Sequence, residues 1–195
     1  MKTVLILGSQ KPIARIAIEE LSRHKDLRLI EIDDEQVDVT YEKLYLPFIS
    51  EVNFVLSFLG PMDVDLAFEG LFDAIRSSQV KIEDFVMLST AGIDNEVEGT
   101  MKYPDDVKDV DEYLKQQRYA IKVVDEAEIP YTILRPATLV YQAEGELQIY
   151  DEGQPMPAGI VSRETVAQVA VSAITSHQYV NQSIGLVQDT KGADE

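Results

Sequence analysis

Apolar residues along this chain fall into short continuous runs that alternate with stretches of three-to-four-residue periodicity. The first run, VLIL, ends at Gly8 and leads into a stretch with Ile13, Ile16, Ala17 and Leu21 on one face, the spacing of an amphipathic helix. The alternation continues. LRLIEID at 27–33 predicts a second strand, YEKLYLPFISE at 41–51 a helix, NFVLSFLG at 53–60 a third strand, and VDLAFEGLFDAIRSSQ at 64–79 a long helix. DFVMLSTAG at 84–92 reads as a fourth strand, DVDEYLKQQRYAIKVVDEAE at 109–128 as a charged helix, and YTILRP as a fifth strand closed by proline. From Ala137 the rhythm breaks into AEGELQIYDEGQPMP, short, polar and turn-rich, followed by a helix in VSRETVAQVAVSAITSHQ and a last strand in SIGLVQ.

Strands that are continuous apolar runs, each followed by a helix, form a parallel sheet covered on both faces. The expected fold is therefore a doubly wound α/β protein of three layers, α/β/α, with a short C-terminal segment on the ligand side. The longest loop candidate, 94–109, follows the carboxyl end of the fourth strand, the edge at which such sheets bind ligands. A chain of 195 residues without linker or low-complexity sequence fits one domain spanning 1–195.

Composition narrows the partners. A formal net charge of −18 disfavours nucleic acid and anionic membrane. No apolar run approaches the length of a membrane span, and the N-terminus lacks a signal-peptide cleavage pattern. The chain has no cysteine, in keeping with a cytoplasmic protein. Its two histidines, His24 and His177, lie far apart without ligand spacing, which gives no metal site.

Where a G-x-x-G-x-x-G phosphate loop would place three glycines, the sequence has Gly8, Lys11 and Ala14. Further along stand DVT at 38–40, FLG ending the third strand, LSTAG at 88–92, Tyr113, YTILRP at Tyr131–Pro136 and VSRETVA at 161–167. Taken together and at these distances, the motifs resemble the atypical short-chain dehydrogenase/reductases of the NmrA-like, NAD(P)-binding Rossmann type. The likeness runs nearly end to end, and TILRP and VSRETVA carry it more specifically than the altered loop.

The resemblance implies positions for a dinucleotide. Residues 8–15, and within them Gly8, Ser9, Gln10, Lys11, Pro12 and Ile13, would face the pyrophosphate. Asp38 and Val39 would flank the adenine, while Phe58, Leu59 and Gly60 would line the groove. Ser89, Thr90 and Tyr113 would stand by the nicotinamide as the catalytic set. The implied activity is oxidoreduction of a small carbonyl or quinone-like compound with NAD(H) or NADP(H).

Several residues depart from that pattern or admit a second reading. Lys11 replaces the glycine that lets backbone meet pyrophosphate, so its side chain either turns aside or contacts phosphate itself. Ala14 is a mild change, and Pro12 suits a first helical turn. Members preferring a 2′-phosphate carry arginine after the second strand; here Ile32 lies between Glu31 and Asp33, which favours NAD(H), with Asp33 as the candidate ribose partner. Asp38 either reaches an adenine or caps its own loop. The superfamily's catalytic lysine, four residues after the tyrosine, is Gln117, which cannot lower a phenol's pKa by charge. Lys115 and Arg118 point to other helix faces.

Ser89 and Thr90 read either as donors to a carbonyl or as strand-end caps. Arg135, between an apolar strand and a proline, needs a carboxylate or carbonyl partner and reads as an anchor for the following loop. Tyr141, Tyr150 and Met156 wall a pocket or fill a small core. Two further functions stay open: a non-catalytic dinucleotide sensor or interaction protein, and a scaffold that binds no cofactor. The partner is then a small-molecule substrate or the dinucleotide, and a homodimer is compatible with the sequence.

Overall fold

The computed structural model describes residues 1–189. In chain order its elements are β1 (Lys2–Leu7), α1 (Pro12–Leu21), β2 (Leu27–Ile32), α2 (Glu42–Tyr45), β3 (Phe54–Ser57), α3 (Val64–Ser78), β4 (Asp84–Leu88), β5 (Val97–Glu98) and α4 (Val110–Glu126). They continue with β6 (Tyr131–Pro136), β7 (Thr138–Val140), β8 (Gln148–Tyr150), β9 (Met156–Pro157), β10 (Ile160–Ser162), α5 (Arg163–Ser176) and β11 (Gln182–Val187). Seven strands form one sheet in the order β2-β1-β3-β4-β6-β11-β8. All its pairings are parallel except that of β8 with β11. This is the expected doubly wound, Rossmann-like α/β fold.

Alternation along each strand splits the core into two layers. Val4 and Ile6 of β1 join Ile13, Ala17 and Leu21 of α1 and the apolar face of α5. Leu5 and Leu7 point the other way, against Phe68, Leu71 and Phe72 of α3 and Ala120 and Val124 of α4. That second layer is tightened by the Phe68–Phe85 edge contact, with ring centroids 5.0 Å apart at 88°. Helix starts follow local chemistry. Pro12 opens α1, while the side chains of Asp109 and Ser162 accept the backbone N–H of Glu112 and Thr165 to cap α4 and α5.

The helix expected over 41–51 is reduced to the single turn of α2 and a 3-10 turn at Ile49–Glu51. Pro47 is the cause: it has no N–H to donate, and its ring collides with the carbonyl four residues back. Conversely, the region after Ala137, and the loop 94–109, hold the short strands β5, β7, β8, β9 and β10 that no periodicity announced. β5 pairs with β9 and β7 with β10, so both segments are pinned to one another rather than left as free loops. Among the described residues, no helix is long and apolar enough to cross a membrane.

At the amino end of the sheet, Asp84 is 0% exposed and its Oδ1 has no hydrogen-bond partner. Thr132 Oγ1 donates to its other oxygen at 3.3 Å. Burial pushes the Asp84 carboxyl up to about 6, only partly offset by Thr132, the Phe85 backbone and His177. The folded protein therefore holds this proton more tightly than the unfolded chain, and stability falls as pH rises from about 4 to about 6, by ~3 kcal/mol in full. Asp84→Asn is expected to raise the melting temperature at pH 8 and to lose most of that advantage at pH 4.5. An equal shift at both pH values would exclude a titrating Asp84.

Candidate functional site

The strand order reverses direction between β1 and β3: the chain leaves β1 toward β2 on one side and returns to β3 on the other. In an open sheet the carboxyl ends of the strands flanking such a reversal form the ligand crevice. Here they are Gly8, after β1, and Phe58, Leu59 and Gly60, after β3. Gly8 has φ +72°, and a Cβ on it would lie 3.0 Å from the backbone carbon and oxygen of Phe58. Only glycine fits both the conformation and the approach. The side chains of Phe58 and Leu59 are buried in opposite core layers, so these residues can present only backbone to the crevice.

The loop after β1 keeps Gly8 and carries Lys11 and Ala14 at the other two positions of the glycine pattern. Lys11 has φ −60° and ψ 141°, extended backbone that any residue adopts, so its substitution costs no strain. Its side chain turns toward the loop after β2, where Nζ lies 3.5 Å from Asp34 Oδ2. Ser9 is buried and its N–H donates to Ile32 O at 3.0 Å, tying the loop to β2. Gln10 and Pro12 are exposed, whereas the Ile13 side chain sits in the core, leaving only its backbone toward a ligand. α1 has no side-chain cap and no acidic residue in its first turn. Its leading N–H groups form the donor set that fits a diphosphate.

On the adenosine side, Asp33 Oδ1 accepts the Glu35 N–H at 3.0 Å, which holds the turn and leaves Oδ2 without a bond in that turn. Asp38 caps its own loop: Oδ1 accepts the Thr40 N–H at 3.0 Å and the Thr40 hydroxyl at 2.5 Å. These bonds, the hydroxyl's first, hold its pKa below the ordinary value. Val39 packs against the second core layer and its carbonyl accepts the buried Tyr45 hydroxyl at 2.6 Å. The same loop is pressed onto α3 at Gly70, where a Cβ would lie 2.2 Å from Thr40 O. Arg15 meets Glu31 at 3.1 Å. Both cations near the crevice mouth are thus matched to carboxylates.

At the end of β4 the expected catalytic group looks different in three dimensions. Gln117 is 2% exposed; its Nε2 donates to Pro61 O at 3.0 Å and its Oε1 accepts from Ser89 Oγ at 3.0 Å. A carbonyl can only accept, so Pro61 fixes which way the amide faces, and Ser89 must be the donor. The expectation of Ser89 as a donor to substrate is therefore corrected: its proton is committed to Gln117, which staples β4 to the β3–α3 turn. The single Thr90 hydroxyl proton has two acceptors in reach, Ala91 O at 3.2 Å and the Tyr113 hydroxyl oxygen, and its lowering effect on Tyr113 is that of donation to the phenol. Burial pushes Tyr113 up to about 12, against the lowering effect of Thr90. Its ring meets Tyr103 edge-on, centroids 5.9 Å apart.

Arg135 is fully buried, and its Nη1 donates to Glu96 Oε1 at 2.6 Å while Nη2 donates to Ser183 O at 3.3 Å. Glu96 also accepts the N–H groups of Gly92 and Asp94. Burial pushes the Glu96 carboxyl up, but the backbone donors and Arg135 together bring it below its ordinary value, so the pair is ionised. Arg135 finds the carboxylate and carbonyl partners that its position called for, but it anchors the β4–β5 loop through Glu96 and β11 through Ser183, not the loop that follows β6. Tyr150 and Met156 belong to a small core with Ala91, Ala137 and Val187, whereas Tyr141 is 79% exposed.

A cavity of about 390 Å³ opens beside these groups, lined by Thr90, Tyr103, Tyr113, Ala137, Leu139 and Arg163 among others. Tyr103, Glu96 and Arg163 were not singled out as site residues from sequence. Arg163 stands inside the VSRETVA motif without a signal of its own, and neither Tyr103 nor Glu96 has a local signal, since each acts on a residue from another element. Among the described residues no group of three or more His, Asp or Glu side chains is placed to hold a metal ion.

A family model described as NAD(P)H-binding matches residues 15–177, beginning just after the altered phosphate loop. No protein of curated function matches the sequence significantly. Among solved structures, a Rossmann-fold NAD(P)-binding family protein from Shigella flexneri is 24% identical, with TM-score 0.73 over 96% of this chain and 94% of that one. A short-chain dehydrogenase/reductase from Veillonella parvula in complex with NADP is 18% identical, with TM-score 0.73 and the same coverage of 96% and 94%. An anaerobillin reductase from Escherichia coli O157:H7 is 14% identical, with TM-score 0.70 over 96% and 97%. At these identities the likeness is one of fold.

Proposed function

The chain belongs to the NAD(P)H-binding family, and from that premise we propose that it is an oxidoreductase that uses a nicotinamide dinucleotide to reduce a small carbonyl or quinone-like compound. The observation that carries the reading is the cavity at the end of β4, lined by Thr90 and Tyr113, beside the β1/β3 crevice. Gly8 and the uncapped start of α1 would hold the diphosphate, the backbone of Phe58, Leu59 and Gly60 would line the groove, and the loop carrying Asp38 and Val39 would flank the adenine. When bound, the reduced nicotinamide supplies a hydride to the carbonyl carbon. Tyr113, a neutral phenol far below its raised pKa, gives its proton to the oxygen, since an alkoxide is the stronger base, and regains one from water at the cavity mouth. Thr90 holds the phenol in place.

NAD(H) is the favoured cofactor over NADP(H). A 2′-phosphate would add about two negative charges beside Glu31, Asp33 and Asp34, and the cations there, Lys11 and Arg15, are already paired. A ribose 2′-hydroxyl could instead donate to Asp33. Titration of the protein with NADH and NADPH by nicotinamide fluorescence is expected to give at least tenfold tighter binding of NADH. Tighter NADPH binding would overturn the cofactor assignment, and no binding of either would overturn the whole reading.

A dinucleotide sensor is the second reading, favoured by Gln117 in the place of the lysine and by a Tyr113 pKa raised instead of lowered. It is distinguished by NADH binding without turnover on a panel of aldehydes, ketones and quinones.

A further inference from the structure

Acidic residues outnumber Lys and Arg by 35 to 17 in this chain, so an arginine is seldom far from a carboxylate. Six of the seven arginines are ion-paired: Arg15, Arg23, Arg28, Arg76, Arg118 and Arg135. Among the described residues, Arg163 alone has no carboxylate partner. It is the first residue of α5, directly after the Ser162 cap. Its guanidinium carbon stands 4.2 Å from the centroid of the Tyr141 ring. A cation–π contact of this kind supplies no oxygen acceptor to the guanidinium N–H groups.

Two facts mark this guanidinium out. Nη1 is shielded from solvent and has no hydrogen-bond partner, a costly state for a charged donor. The side chain also lines the cavity that holds Thr90 and Tyr113. From this arrangement we infer that Arg163 is an anion-recognition residue, and that the substrate is a carbonyl compound carrying a carboxylate, gripped by Arg163 at one end with its carbonyl toward Tyr113 at the other. This identification of substrate class rests on the oxidoreductase reading above.

The rest of the lining agrees with such a ligand. Ala137 and Leu139 supply apolar wall between the two polar ends, and exposed Lys102 at the rim adds a second positive charge. Asp105, also exposed on the rim, is the one lining carboxylate, and in solvent its repulsion is screened. A volume of about 390 Å³ accommodates a single-ring compound. A carboxylate accepts charge-assisted hydrogen bonds from a guanidinium more strongly than a neutral ester or amide does.

The test uses 4-formylbenzoate and its methyl ester as probes, with binding measured by calorimetry on the full chain in the absence and presence of NADH. Wild type is expected to bind the acid at least tenfold more tightly than the ester. Arg163→Gln should remove that preference, Arg163→Lys should keep part of it, and neither should change NADH affinity. Equal binding of acid and ester, binding of neither, or a preference that survives Arg163→Gln would overturn the inference. Circular dichroism and the unchanged NADH affinity establish that the variants are folded. A carboxylate preference without NADH-dependent turnover would leave the anion site standing while removing the oxidoreductase reading, so the two fail separately.

Discussion

Arg135→Ala is expected to destabilise the protein by about 3–5 kcal/mol, the cost of leaving one member of a buried ion pair behind. Both partners are almost inaccessible, with side-chain exposures of 1% and 3%, and their contact is short at 2.6 Å. Removing the guanidinium would strand the Glu96 carboxylate in the interior with backbone amides, among them those of Gly92 and Asp94, as its remaining donors. The Ser183 carbonyl would also lose a donor. Urea denaturation at pH 7 measures the loss, and the double variant with Glu96→Gln should recover a substantial part of it because no charge is then buried unpaired. The loss should also shrink as the pH is lowered, because burial without Arg135 raises the Glu96 carboxyl and lets it protonate. A change under about 1 kcal/mol, or a double variant as unstable as the sum of the singles, would mean that the pair does not anchor the β4–β5 loop.

The second large effect concerns Gln117. Putting back the lysine that catalysis in the wider superfamily uses is expected to weaken the fold by about 2–4 kcal/mol and to give no gain in carbonyl reduction. The side chain is 2% exposed and serves Ser89 and Pro61. A lysine there must either bury its charge against one hydroxyl and one carbonyl or bind neutral, and burial depresses its pKa. The sign follows from linkage: the unfolded chain binds the lysine proton more tightly than the folded one, so stability rises as pH climbs from 7 toward 10. Denaturation midpoints at pH 7 and 10 read this directly. An unchanged midpoint at pH 7, or carbonyl turnover above that of the parent protein, would show that position 117 is open to the nicotinamide and that the clamp is not essential.

Gln117 also marks the boundary of what one sequence conveys. Its spacing from Tyr113 identified the missing lysine, but not that the amide had been recruited to join β4 to the β3–α3 turn. That bond runs to Pro61, 56 residues away. Asp38 shows the opposite case. Its bonds go to Thr40, two residues on, and the loop-capping alternative was already visible beside the adenine one.

The parts of this protein that the sequence determined alone are those set by local physics. Apolar runs and helical periodicity placed the main strands and helices, because side-chain direction repeats every two or 3.6 residues whatever the rest of the chain does. Gly8 and Pro12 were legible because φ is restricted at the backbone itself. Pro47 is a local signal of the same kind, and it confines the helix that the apolar spacing over 41–51 predicts to a single turn and a 3-10 turn. What only the tertiary structure decided is where the long polar side chains end. Lys11 turns to Asp34, Arg135 to Glu96, and Arg163 to the Tyr141 ring and the cavity that holds Tyr113, without an ion-pair partner among the described residues. Those choices depend on the strand order, which brings together groups tens of residues apart, and on burial, which makes an ion pair or a lone cation matter. No spacing along the chain encodes either.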